Sequence, residues 1–184
     1  INNVPPALSM TESLTGDLAV PEGSQIEIGV SITNSAEDDE YTYDWIQVSG
    51  SASSIEGSTN STASVTLPRI RSASETLIFS VEVDDGFARS EATVNVDVVN
   101  IPPEISASIS EDEVKETETV TASVSVINGS AGESYTYSWT QVSGSAAVLS
   151  GANSSSVTIE TGSVTADEVQ TFQIMVDDGV VSVV

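Results

Sequence analysis

Apolar and polar residues alternate along most of this chain. Ile26, Ile28, Val30 and Ile32 form one such run, Leu77, Phe79, Val81 and Val83 a second, and Ala92, Val94, Val96 and Val98 a third. A period of two places every second side chain on one face, the signature of a half-buried β-strand. The second half repeats the pattern at Val120, Ala122, Val124 and Val126 and at Phe172, Ile174 and Val176, while Val65 with Leu67 and Val157 with Ile159 mark a shorter strand in each half. No stretch carries a helical stripe of useful length, because the one candidate, residues 164–170, is short and rich in β-branched side chains. The chain reads as all-β.

The two halves are copies. Residues 41–51, YTYDWIQVSGS, return as YTYSWTQVSGS at 135–145, with nine of eleven positions identical. Other landmarks recur at similar spacing: Asn3-Val4-Pro5-Pro6 with Asn100-Ile101-Pro102-Pro103, Asn34 with Asn128, and Val83-Asp84-Asp85-Gly86 with Val176-Asp177-Asp178-Gly179. A segment copied at fixed spacing marks a folding unit used twice, so the boundaries fall at 1–99 and 100–184. The first unit divides into strands near 7–11, 26–33, 41–48, 63–67, 77–83 and 91–98, with Asp-Asp-Gly turning the last two into a hairpin. Several short antiparallel strands around one central tryptophan, Trp45 or Trp139, describe an immunoglobulin-like sandwich without a disulfide. The second unit has few residues after Gly179, so its last strand is expected to be truncated. That reads as an excerpt from a longer array, the alternative being a strand donated by another chain.

Charge narrows the partners. With 28 acidic against 4 basic side chains the formal charge is -24, which repels phosphate backbones and anionic lipid surfaces. Nucleic acid and direct membrane contact are therefore not expected. Histidine and cysteine are both absent, which removes Ser-His-Asp and Cys-His catalysis and the usual zinc sites. Paired carboxylates could still hydrolyse glycosides, but no cleft-building insertion accompanies them, and no enzyme activity is expected.

With the tryptophan-bearing strand reading Tyr-x-Tyr-x-Trp-x-Gln-Val-Ser-Gly-Ser, a following strand ending in Val-Asp-Asp-Gly and an Asn-x-Pro-Pro linker, both units resemble polycystic-kidney-disease (PKD) type repeats. The likeness is to variants found in secreted bacterial proteins and in receptor-for-egg-jelly type modules, where Trp-x-Gln-x-Ser-Gly replaces Trp-Asp-Phe-Gly-Asp-Gly. The resemblance implies an extracellular or cell-surface location and a non-catalytic role as spacer or stalk beside neighbouring repeats of the same polypeptide. Polysaccharide- or protein-binding adhesin modules and subunits of an extracellular filament are the alternatives it leaves open.

Calcium is the metal this inventory allows, since it takes about six to eight oxygen ligands from carboxylates, carbonyls and water. In the expected topology Asn3, Asp38, Asp39, Asp84 and Asp85 gather at one pole of the first unit, with Asn2, Glu37 and Glu40 nearby, and Asn100, Asp177 and Asp178 form the matching set. Family resemblance implies calcium at such a place in some members. The competing reading is turn chemistry for Asp84-Asp85-Gly86 and a solvated acidic loop for residues 37–40. Tyr41, Tyr43, Tyr135 and Tyr137 offer a sugar-stacking platform or, on strand parity with the tryptophans, core packing. Asn60, Asn128 and Asn153 head sequons that matter in a eukaryotic secretory host.

Overall fold

Each alternating run becomes a strand. The computed structural model describes residues 4–12, 19–35, 39–129 and 132–184, and no helix forms among them. The chain divides into two units, Ile1–Ile101 and Pro102–Val184.

Unit 1 contains β1 (Leu8–Glu12), β2 (Val20–Pro21), β3 (Gln25–Ile32), β4 (Thr42–Ser49), β5 (Ser54–Glu56), β6 (Thr62–Thr66), β7 (Ser74–Asp84) and β8 (Arg89–Val99). They form two four-stranded sheets, in the orders β1-β3-β6-β5 and β2-β8-β7-β4. All pairs are antiparallel except β2 with β8, where Val20 lies opposite Val98 and Pro21 opposite Val99. Unit 2 contains β9 (Ile105–Ile109), β10 (Thr119–Val126), β11 (Thr136–Ser143), β12 (Val148–Ser150), β13 (Ser156–Glu160), β14 (Thr171–Asp177) and β15 (Ser182–Val183), in sheets β12-β13-β10-β9 and β11-β14-β15.

The core of unit 1 fills the space between its sheets. Ile26, Ile28 and Val30 of β3 and Val65 of β6 meet Trp45 of β4, Leu77, Phe79, Val81 and Val83 of β7, and Val94, Val96 and Val98 of β8. In unit 2, Val120, Ala122 and Val124 meet Trp139, Val157, Ile159, Ile174 and Val176. These are the inward members of the alternation. Trp45 is 2% exposed and donates its indole N–H to Asn60 O at 3.0 Å, and Trp139 donates to Ser154 O at the same distance. A buried tryptophan with its one donor satisfied anchors the sandwich, and truncating it to alanine costs about 3–5 kcal/mol.

Three elements depart from the sequence reading. The two-residue β2 and the three-residue β5 and β12 are too short to show an alternation, so periodicity does not announce them. The β7–β8 hairpin closes through the four residues 85–88, since Asp84 lies opposite Arg89. Among those four, only Gly86 has a positive φ, +85°. β15 pairs with β14 at two positions, Val176 with Val183 and Asp177 with Ser182.

Candidate functional site

The repeated Gln-Val-Ser-Gly-Ser motif explains itself first. Gln47 lies opposite Phe79 but Ser49 lies opposite Ile78, so Val48 is an extra residue and β4 carries a β-bulge there; β11 bulges between Gln141 and Ser143. The glutamine before the bulge bonds the backbone that follows it. Gln47 Nε2 donates to Ser49 O at 3.1 Å and Ser51 O at 2.7 Å, while Ser53 N donates to Gln47 Oε1 at 2.8 Å. Gln141 repeats this with Ser143 O, Ser145 O and Ala147 N.

A carboxylate closes the same turn, Glu75 from the facing strand β7 and Glu168 from the segment just before β14. Ser51 N and Oγ donate to Glu75 at 2.7 and 2.8 Å, and Ser145 N and Oγ donate to Glu168 at 2.7 and 2.9 Å. The Ser145 backbone bond, with Gln170 and the Ser145 hydroxyl behind it, holds the Glu168 carboxyl below the usual range. Gly50, at φ +96°, has no room for a side chain, because a Cβ would lie 2.3 Å from Leu77 Cδ2.

The asparagine landmark has an equally local purpose. Asn34 Oδ1 accepts from Ala7 N at 2.6 Å and its Nδ2 donates to Pro5 O at 2.9 Å. Asn128 does the same with Glu104 N and Pro102 O, at 2.7 and 2.9 Å. Double proline supplies few backbone donors, so the asparagine pins the lead-in to the first strand through the groups that remain.

The expected metal residues divide as follows. Asn3 and Asp38 lie outside the described residues, as do Asn2 and Glu37. Asp39 Oδ2 accepts the Tyr41 hydroxyl at 2.8 Å. Burial, then the Asp39 hydrogen bond and charge, then the charge of Asp85, push the Tyr41 phenol up to about 12 from 10.0. Asp39 and Asp85 therefore stand at the same pole of unit 1. Asp84 Oδ1 accepts from Gly86 N at 2.7 Å and its Oδ2 meets Arg89 Nε at 2.9 Å. Asp85 Oδ1 accepts from Phe87 N at 2.9 Å and Ala88 N at 2.7 Å.

In unit 2, Asp177 Oδ1 accepts from Gly179 N and its Oδ2 from Ser182 Oγ, and Asp178, 8% exposed, accepts from Val180 N and Val181 N, both at 2.7 Å. Asn100 belongs to unit 1, where its backbone N–H donates to Ala73 O at 3.1 Å. Both Asp-Asp-Gly turns are thus built by their own carboxylates. Among the described residues no group of three acidic side chains is arranged to hold a metal ion. The four tyrosines are half-buried against the two cores, which is the packing role.

The arrangement β1-β3-β6-β5 over β2-β8-β7-β4 is that of an immunoglobulin-like sandwich. Residues 16–98, most of unit 1, match the family model of the K319L-like PKD domain. No curated protein matches the sequence of the chain. Among solved structures, the chain is similar to murine CEACAM1b at 14% identity, covering 96% of this chain and 94% of that one with a TM-score of 0.33. It is similar to the titin domains z1z2 in complex with telethonin at 12% identity, covering 98% and 94% with a TM-score of 0.45. A protocadherin gammaB7 EC3-6 structure shares 13% identity, with 95% of this chain and 46% of that one covered and a TM-score of 0.40. No helix among the described residues is long and apolar enough to cross a membrane.

Proposed function

We propose that this chain is a non-catalytic spacer of a larger extracellular protein, its sandwiches holding flanking modules apart. The observation that carries this reading is where the polar side chains go. Gln47, Glu75, Asn34, Asp84 and Asp85, and their counterparts Gln141, Glu168, Asn128, Asp177 and Asp178, bond to backbone or to neighbouring side chains within their own unit. They stiffen turns and strand ends. The PKD-domain match over residues 16–98 fits the same role and an extracellular setting, and the charge of -24 keeps such a module soluble and away from anionic surfaces.

A test uses the absence of native cysteine. Cysteines placed at the exposed Asn95 and Thr158 carry a fluorophore pair, and single-molecule transfer reads the distance distribution. A spacer gives a narrow distribution that a panel of acidic and neutral polysaccharides leaves unmoved. A broad distribution of tether type overturns the reading, and saturable binding to one polysaccharide replaces it with the adhesin alternative.

A second reading, calcium at the pole of unit 1, is favoured by Asp39 and Asp85 both acting on Tyr41. Two carboxylates supply part of the roughly six to eight oxygens calcium takes, with backbone carbonyls and water as the remaining donors. Filled to 100 times its Kd, one such site raises stability by about 2.7 kcal/mol. Equal melting curves with calcium and with chelator remove it.

A further inference from the structure

Glu22 is the most enclosed acidic side chain among the described residues, at 2% exposure. A carboxylate taken out of water must be hydrogen-bonded to be tolerated, and its partners come from two distant segments. Ile70 N donates to Oε2 at 2.9 Å, across 48 residues, and Ile101 N donates to Oε1 at 3.4 Å, across 79 residues. The backbone of Glu22 joins the same junction, its N–H donating to Val99 O at 2.9 Å beside the parallel pairing of β2 with β8. On the other side of the exiting chain, Asn100 N donates to Ala73 O at 3.1 Å.

We infer that Glu22 is a latch, a buried carboxylate that fixes where the chain leaves the first sandwich by holding the main-chain N–H of Ile101. The double proline that follows, Pro102-Pro103, has no N–H to give, so Ile101 is the last donor the exit offers before Glu104. β8 ends at Val99 and the Asn100 N–H bond to Ala73 O follows it, so the Glu22 bond carries the anchoring one residue further, to Ile101. Glutamate suits the position because both of its oxygens accept, whereas an amide of the same shape turns one of them into a donor facing a second donor.

Unit 2 contains a partial copy. Glu116 lies 94 residues after Glu22, and its Oε2 accepts from Val164 N at 3.1 Å, 94 residues after Ile70. The arm onto the core loop recurs.

Amide exchange followed by NMR on the whole chain reads the latch directly, whether or not the chain serves as a spacer. In Glu22→Gln the Ile101 amide should exchange roughly tenfold faster or more, the factor expected for losing a hydrogen bond to a charged acceptor. Glu116→Ala should release Val164 and leave Ile101 as it was. Ile28→Val, which weakens the core away from the latch, serves as the control for general loss of stability. The inference is overturned if wild-type Ile101 exchanges like an unprotected amide, if Glu22→Gln leaves it unchanged, or if Ile28→Val releases it equally. Should Glu22→Gln fail to fold, Ile101→Pro removes the donor together with the isoleucine side chain, and it also fixes φ at 101 and restricts Asn100. It should keep Ile70 protected and expose Asn100 to faster exchange, and an unchanged Asn100 amide would sink the latch.

Discussion

Gly50 and Gly86 both have positive φ, +96° and +85°, but only one of them is crowded. A Cβ at Gly50 would lie 2.3 Å from Leu77 Cδ2, 3.2 Å from Leu77 Cα and 3.3 Å from Thr76 O, whereas a Cβ at Gly86 meets nothing within 4 Å. Leu77 is fully buried, so its methyl cannot swing into solvent. Gly86→Ala therefore carries only the left-handed backbone cost, about 1–2 kcal/mol. Gly50→Ala carries the same cost plus overpacking of about 1–3 kcal/mol. The entropy lost by the unfolded chain on gaining a Cβ is common to both and cancels in the difference. Urea unfolding followed by Trp45 emission, in a Trp139→Phe background so that only unit 1 is read, should place Gly50→Ala about 1–3 kcal/mol below Gly86→Ala. Equal losses, within about 0.5 kcal/mol, would mean that the turn after β4 shifts freely and that the glycine serves φ alone.

Four further outcomes follow from the hydrogen bonds. Asp39→Ala removes the hydrogen bond and charge that help hold the Tyr41 phenol neutral, so its ionisation, followed by phenolate absorbance, should fall from about 12 toward 10.0. A raised folded-state value means that the contribution of Tyr41 is complete below 10.0 and is lost as pH climbs to about 12. Glu168 runs the other way. Its depressed folded value adds stability above 4.5 that is lost as pH falls below it, so Glu168→Gln should flatten the acid limb of the unit 2 melting profile. Asn34→Ala removes two exposed bonds and should cost about 1 kcal/mol by thermal scanning, with faster exchange confined to the Ala7 amide.

Much of the scaffold was legible because periodicity reports burial. The inward residues of β3, β7 and β8 are the alternating ones, and Trp45 and Trp139 sit where a mid-strand tryptophan between two sheets must sit. The strands that escaped were those too short to alternate, β2, β5 and β12. The bracing side chains escaped for a different reason. Glu22 follows Val20-Pro21 and Glu75 sits among polar residues in sequence, and nothing within a window of ten positions reveals that their partners lie 48 and 24 residues away. The nearest signal was the duplication itself, since Gln47 and Glu75 both return, at Gln141 and Glu168.

The acidic loops before the tryptophan strands show why comparing residue types understates what two copies share. Residues 37–40 are all acidic, whereas the matching loop of unit 2 holds only Glu133, and by composition the two loops have different chemistry. In three dimensions Tyr41 donates its hydroxyl to Asp39, and Tyr135 donates to Glu133, each tyrosine reaching a carboxylate two residues before it. The glutamate brings one more methylene than the aspartate, and Gly129 leaves space against the Tyr135 hydroxyl, where a Cβ would lie at 2.9 Å. The pairing therefore survives a change of residue, because what the tyrosine requires is an acceptor at its hydroxyl while its ring packs on the core. Charge beyond that one carboxylate is surplus to the packing, and residues 37–40 carry it where the matching loop of the second unit does not.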